Sequence, residues 1–271
     1  MTDQYAVIGN PIQQSKSPLI HTAFAQATGQ DLQYTKIEGH AFAADVDAFR
    51  ARGGRGMNIT APFKIDAFAY ATERSGRAQS AGAANALKFD GARVLAENFD
   101  GIGLVRDVTH NLHCPLRAKR VLVLGAGGAT RGALLPFLAE QPAELVIANR
   151  SLAKAQELVL IGASRGNVRG CTYLDLAGQT FDVVFNATSA SLKTELPPVP
   201  ASVFIGCTLA YELAYGKGLT PFLRLAQSAG VKQVADGVGM LAEQAAEAFE
   251  WWRGVRPDTK SVIELLTVPL V

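Results

Sequence analysis

The sequence predicts an α/β fold in two units, on three observations. Short apolar runs alternate with amphipathic stretches along most of the chain. A glycine cluster, GAGGATRG, follows the apolar run Arg120–Leu124 without a gap. The 271 residues are 48% hydrophobic and 18% charged with a net charge of +2, enough apolar material for a substantial core. The same balance argues against a nucleic-acid binder driven by phosphate neutralisation, and against disorder.

Taken in order, Tyr5–Ile8 reads as a strand ended by the turn signal Gly9-Asn10-Pro11. Ser17-Pro18 opens a helix, with Ser17 as cap and Pro18 at the first helical position. Asp31–Ile37 is a strand, Phe42–Arg52 a helix stopped by Gly53-Gly54, and Arg55–Ile59 a strand. A second unit begins near Gly101, with a strand at Arg120–Leu124, a helix at Ala133–Glu140 and a strand at Leu145–Ala148. A helix from about Leu152 follows, then buried strands at Phe181–Phe185 and Val203–Cys207. From Gly237 the tail is helical, with a second helix near Ser261–Leu266. The expected division is a first α/β unit over 1–100, onto which 237–271 folds back, and a Rossmann-like unit over 101–236.

Cys114, Cys171 and Cys207 are widely spaced, with no CxxC or Cys/His pattern, so no metal site is expected. Three scattered thiols fit a reducing cytoplasm. The first residues lack a basic stretch followed by an apolar one, and no apolar run reaches the ~18–20 residues that span a bilayer, so no membrane partner is expected.

Gly125, Ala126, Gly127, Gly128 and Ala129 lie where a strand must turn into a helix. The first glycine permits the turn and the second lets the backbone approach a pyrophosphate, whose charge a helix N-terminus favours. A plain tight turn is the alternative, and Thr130 stands where the fingerprint has Gly or Ala. The next strand ends in Asn149, Arg150 and Ser151, with Lys154 one turn on, where an NAD site has an acid. An acid repels a 2′-phosphate, whereas Arg150 pairs with it and Ser151 donates to it, so NADP is favoured over NAD. A solvated helix start with ordinary basic residues is the plainer account.

Polar clusters in the first unit gather hydroxyls, amides, a lysine and an acid beside turns and strand ends. Such groups suit a small polyhydroxylated acid. Singly, each has a plainer role: Ser15 and Ser17 as caps, Asn85 as a turn residue, Lys64 as a surface lysine, Asp100 as a cap. In order, the segments GNPIQQSKSPLIH, NITAPFK, AGAANAL, ENFDGIGL, GAGGATRG, NRS, NATSASL, YELAYGKGLTPF and ADGVGMLAEQA resemble those of the shikimate dehydrogenase family, over essentially the whole chain.

The resemblance implies an N-terminal substrate domain, a Rossmann-like NADP-binding domain, and NADP-dependent reduction of 3-dehydroshikimate to shikimate. Ser15 and Ser17 would hold the substrate carboxylate, helped by Thr60 and Tyr215. Lys64, Asn58, Asn85, Asp100 and Gln244 would bind ring hydroxyls, with Lys64 and Asp100 as the catalytic pair. Gly125–Ala129 and Asn149–Lys154 would bind the cofactor; Ala187, Thr188, Ser189, Leu213 and Gly237 would approach its ribose and nicotinamide. A Lys beside an Asp provides both the proton donor and the base that carbonyl–alcohol interconversion needs.

Phe99 stands where the family has Thr, Glu97 where it has Asp, Ala61 where it has Val, and Glu212-Leu213 where it has Asp-Met. Phe99 is expected to shift Asp100 or to remove a local hydrogen bond. These departures suggest a diverged paralogue. Two further readings stay open: a quinate/shikimate dehydrogenase, and a non-catalytic sensor of shikimate-like ligands. A small-molecule substrate, no nucleic acid, and a monomer or homodimer complete the expectations.

Overall fold

The computed structural model describes residues 2–270, which group into two compact units. The first comprises Met1–Gly103 with Ala242–Val262, the second Leu104–Leu241 with Ile263–Val271. The segment 263–271, expected with the first unit, therefore groups with the second, where Leu270 packs on an apolar cluster around Phe204 and Phe222.

The first unit runs β1 (Asp3–Gly9), α1 (Ser17–Thr28), β2 (Leu32–Glu38), α2 (Phe42–Ala51), β3 (Gly54–Ile59), α3 (Lys64–Tyr70), β4 (Glu73–Arg74), α4 (Gly76–Ala81), β5 (Ala86–Asp90) and β6 (Arg93–Glu97), and enters α5 (Asp100–Arg106). Its sheet has the order β2-β1-β3-β5-β6-β4. β1 is parallel to both β2 and β3, while β5 runs antiparallel to β3 and to β6. The strand–helix alternation did not announce this β5–β6 hairpin. Its effect is positional: the start of β5 and the end of β6 lie at the same edge as the carboxyl ends of β1 and β3. Ser17 is the first residue of α1 rather than its cap; Ser15 Oγ instead accepts from the Ser17 N–H at 3.3 Å.

Residues 242–262 complete this unit's core. Trp252 packs against Tyr5 with ring centroids 4.8 Å apart and donates from Nε1 to the Leu87 carbonyl at 3.0 Å. A Cβ on Gly56 would lie 2.6 Å from that indole nitrogen, so only glycine fits beneath it. His21 is buried in the same aromatic cluster, stacked on Tyr34 at 4.3 Å with an interplanar angle of 3°.

The second unit holds β7 (Arg120–Leu124), α6 (Gly128–Ala139), β8 (Glu144–Ala148), α7 (Leu152–Gly162), β9 (Val168–Cys171), β10 (Val183–Asn186), β11 (Leu209–Glu212), α8 (Pro221–Ser228), β12 (Gln233–Asp236) and the first turn of α9 (Val238–Arg253); α10 (Lys260–Leu266) straddles the boundary at 262. Its sheet is parallel throughout, ordered β12-β11-β10-β7-β8-β9. The central strands are buried on both faces, as helix-covered parallel sheets require. The strand expected at Val203–Cys207 is instead a 3₁₀ turn, Ala201–Phe204, and the sheet strand is β11. Val203 and Phe204 are buried from this turn, and an apolar run of that length does not distinguish the two conformations. Among the described residues no helix is long and apolar enough to cross a membrane.

Candidate active site

In the first unit, the edge formed by the ends of β1, β3 and β6 and the start of β5 collects most of the polar residues singled out in the sequence. β3 ends at Ile59, whose N–H donates to the Asn85 carbonyl at 2.8 Å, while the Asn85 N–H donates to the Glu97 carbonyl at 3.0 Å. Thr60 lies against the end of β1: a Cβ on Gly9 would sit 2.4 Å from the Thr60 methyl. Pro62 stops the strand, and α3 begins at Lys64.

Lys64 Nζ donates to Asp100 Oδ2 at 2.5 Å, from the first turn of α3 to the first turn of α5. The other Asp100 oxygen accepts from Asn85 Nδ2 at 2.9 Å. Asn85 Nδ2 also donates to Gln244 Oε1 at 3.1 Å, and Asn85 Oδ1 accepts from the Phe99 N–H at 2.8 Å. Every polar atom of the Asn85 amide thus has a protein partner, which fixes its orientation and, through it, that of Asp100. Lys64 keeps two further N–H donors and a side chain 35% exposed, so it stays open to an incoming oxygen.

Asn58 accepts from the Tyr34 hydroxyl at 2.6 Å and donates weakly to the Asn85 carbonyl at 3.4 Å. Ser15 and Ser17 stand together, their hydroxyls 3.3 Å apart. Tyr215 belongs to the second unit and is 41% exposed.

Beside Phe99, Asp100 contacts both Lys64 and Asn85. The Phe99 ring is buried against Trp251, centroids 5.7 Å apart, with the Arg77 guanidinium 5.5 Å from the ring centre. Glu97 is buried and held by Arg77, Ser75 and the Asn98 N–H.

In the second unit the register aligns Ala148, Leu124, Asn186, Glu212 and Asp236 across the sheet. The next residue of each strand is Asn149, Gly125, Ala187, Leu213 and Gly237: five of the expected cofactor residues form one row at the carboxyl end. The chain order reverses direction between β7 and β10, and ligands of open parallel sheets bind at such a switch point. Gly125 has φ +101°, a conformation that favours glycine. Cβ atoms placed on Gly127 and Gly128 meet nothing within 4 Å, which leaves space for a ligand against the N-terminus of the twelve-residue α6. Thr130, which breaks the glycine fingerprint, is buried and donates from Oγ1 to the Gly125 carbonyl at 2.7 Å, so its hydroxyl pins the turn.

Asn149 Nδ2 donates to the Ser151 carbonyl at 3.0 Å, shaping the entry to α7. Arg150, Ser151 and Lys154 are exposed, and among the described residues no carboxylate pairs with Arg150 or Lys154. Arg150 and Lys154 thus present two basic side chains at the start of α7 without a competing carboxylate among the described residues. Gly237 packs on Leu213, where a Cβ would meet the Leu213 carbonyl at 2.2 Å. These features fit a phosphorylated dinucleotide. Sequence reasoning gave no role to the buried Tyr34 of the first unit or to Asn186 and Thr220 of the second, and it noted Glu212 only as a departure from the family; no local pattern marks an amide or acid as buried.

The model of the shikimate dehydrogenase substrate binding domain matches residues 7–87, that of shikimate/quinate 5-dehydrogenase residues 107–194, and that of the shikimate 5′-dehydrogenase C-terminal domain residues 237–267. The shikimate dehydrogenase (NADP(+)) of Nitrosospira multiformis is 53% identical over 268 residues, covering 98% of each chain. The crystal structure of an Ael1 enzyme from Pseudomonas putida superposes with a TM-score of 0.96 at 63% identity, covering 99% of this chain and 100% of the other. A shikimate 5-dehydrogenase from Thermus thermophilus, solved in complex with NADP(H) and shikimate, gives a TM-score of 0.86 at 29% identity over 97% of each.

Proposed function

The chain belongs to the shikimate dehydrogenase family, and on that premise we propose that Lys64 and Asp100 carry the proton chemistry by which it interconverts 3-dehydroshikimate and shikimate. The protein is an NADP-dependent oxidoreductase acting on a small molecule. When bound, NADP(H) supplies or accepts the hydride at the carbon that bears the reacting oxygen.

The observation that carries the reading is the ion pair at 2.5 Å between Lys64 Nζ and Asp100 Oδ2, braced by Asn85 on the other carboxylate oxygen. Asp100 orients the ammonium and stabilises its charge. In the reducing direction Lys64 Nζ delivers a proton to the substrate oxygen as negative charge grows there. In the oxidising direction the neutral amine takes that proton back. Ser15, Ser17 and Thr60 offer hydroxyl donors to the substrate carboxylate, and Asn58 and Gln244 offer amides to the ring hydroxyls. Asn85 reaches a ring hydroxyl by exchanging its Gln244 bond, while keeping Asp100 in place. Arg150 and Lys154 hold the 2′-phosphate, and Gly125–Ala129 the pyrophosphate.

The test is an assay of NADPH or NADH formation with shikimate and quinate against NADP and NAD in all four combinations. Turnover confined to shikimate with NADP supports the reading. Comparable quinate turnover favours a quinate/shikimate dehydrogenase, and binding of shikimate without any reduction at high enzyme concentration favours a sensor. The three cysteines are free and buried, which supports a cytoplasmic placement. Sedimentation velocity separates the two expected assemblies, monomer and homodimer.

A further inference from the structure

We infer that Glu212 is a positioning residue for the nicotinamide end of the cofactor, acting through Asn186 on the loop Ala187–Ser189. The inference rests on the cofactor reading given above.

Glu212 ends β11 and Asn186 ends β10 beside it, in register, and both are fully buried. Donors that converge on the acid include Asn186 Nδ2 at 2.9 Å and Thr220 Oγ1 at 3.2 Å on Oε2, and the Ala214 N–H at 3.3 Å on Oε1. A carboxylate offers only acceptor sites, so Asn186 must turn its NH2 toward it. Asn186 Oδ1 then faces the following loop, where it accepts from the Thr188 N–H at 3.1 Å and from Thr188 Oγ1 at 2.7 Å. Thr188 Oγ1 in turn accepts from the Ala190 N–H at 3.3 Å. A Cβ on Gly125 would lie 3.1 Å from the Ala187 carbonyl and 3.2 Å from the Thr188 methyl, so the loop held this way also borders the glycine turn. Glu212 therefore sets the polarity of one amide, and that amide sets the loop that follows β10. The Ala214 contact ties the loop after β11 to the same acid. An acid at 0% exposure is costly unless it is hydrogen-bonded, and here donors come from the end of β10 and from the segment after β11.

Glu212→Gln in the full chain tests this. Whichever side its NH2 takes, a donor meets a donor: either Asn186 flips and Thr188 loses its acceptor, or Ala214 loses its anchor. Three readouts are compared with the parent chain: binding of 2′-phospho-ADP-ribose, which lacks nicotinamide; fluorescence of bound NADPH, which reports how the reduced ring is held; and kcat with the KM for shikimate. The expected result is fragment affinity within about twofold, bound-NADPH fluorescence moved toward that of the free form, and kcat lower by roughly tenfold or more at unchanged shikimate KM. Should Glu212→Gln fail to fold, Thr188→Val, at a half-buried site at the far end of the relay, is expected to move the fluorescence and kcat in the same direction. Parent-like fluorescence and kcat in a folded Glu212→Gln, or in Thr188→Val, overturns the inference. So does a parallel loss of fragment affinity, which marks Glu212 as a general support of the unit. A parent chain that fails to bind the fragment strikes the cofactor reading itself.

Discussion

Lowering the pH should destabilise this protein through His21, and the effect can be sized. The imidazole is 1% exposed, stacked on Tyr34 and ringed by Phe24, Phe249 and Trp252. Burial, with neither ring nitrogen hydrogen-bonded among the described residues, pulls its pKa down from 6.5 to about 3. Above pH 6.5 His21 is neutral both folded and unfolded, and it makes no difference to stability. Below that, the unfolded chain binds a proton that the folded chain refuses. Stability then falls as pH falls, by about 1.4 kcal/mol per unit, until the folded pKa is reached. Between pH 7 and pH 5 the expected loss is about 2 kcal/mol. The measurement is urea unfolding of the parent chain and of His21→Phe across pH 5 to 8. The larger ring has its own packing cost of about 1–3 kcal/mol. That cost is independent of pH, so the signal is the difference in slope. Contributions of other titrating groups cancel between the two proteins. Parallel stability profiles from pH 7 to pH 5 would refute the argument.

Three further outcomes are expected. Lys64→Ala should lower kcat by roughly 10²–10⁴-fold, as loss of a general acid–base group does, with NADP affinity retained; near-parental turnover removes Lys64 from the mechanism. Arg150→Ala should weaken NADP by roughly ten- to a hundredfold in calorimetric titration and leave NAD unchanged, since only the 2′-phosphate contact is lost; equal losses for both place Arg150 elsewhere. Thr130→Val keeps the side-chain shape and deletes the buried bond to the Gly125 carbonyl, so urea unfolding should show a loss of about 1–3 kcal/mol.

In the second sheet β7, β8 and β10 were legible because they are buried apolar runs and the turn after β7 needs glycine, whereas β9, β11 and β12 were not anticipated. The row of Asn149, Gly125, Ala187, Leu213 and Gly237 follows from parallel strands ending in register, yet in the sequence these residues are up to 112 apart (237 − 125), and only family resemblance drew them together. In the first sheet β1, β2 and β3 were legible and β4, β5 and β6 were not. Its β5–β6 hairpin is mixed with parallel strands, and no simple alternation separates the two. Lys64 and Asp100 stood out only by resemblance, because a lysine at a helix start and an acid at another are commonplace. Their bracing by Asn85 and Gln244 joins positions 159 residues apart, which no spacing rule reaches. Glu212 was visible only as a departure from the family, and its burial between Asn186 and Thr220 is not marked by any local pattern.

That the first unit is closed by residues 242–262 has a consequence during synthesis. Gln244 reaches Asn85, Trp252 reaches Leu87, and Arg253 pairs with Asp3, so the opening hundred residues leave the ribosome without these partners. The stretch 104–241 must be translated first, roughly seven to thirty seconds at 5–20 residues per second. Throughout that interval the nascent chain exposes the apolar faces of Tyr5 and Ala86, which belong to the cluster that Trp252 completes. Slow translation of this middle stretch, or a chaperone-poor host, should therefore reduce yield more than any weakness of the finished fold would suggest.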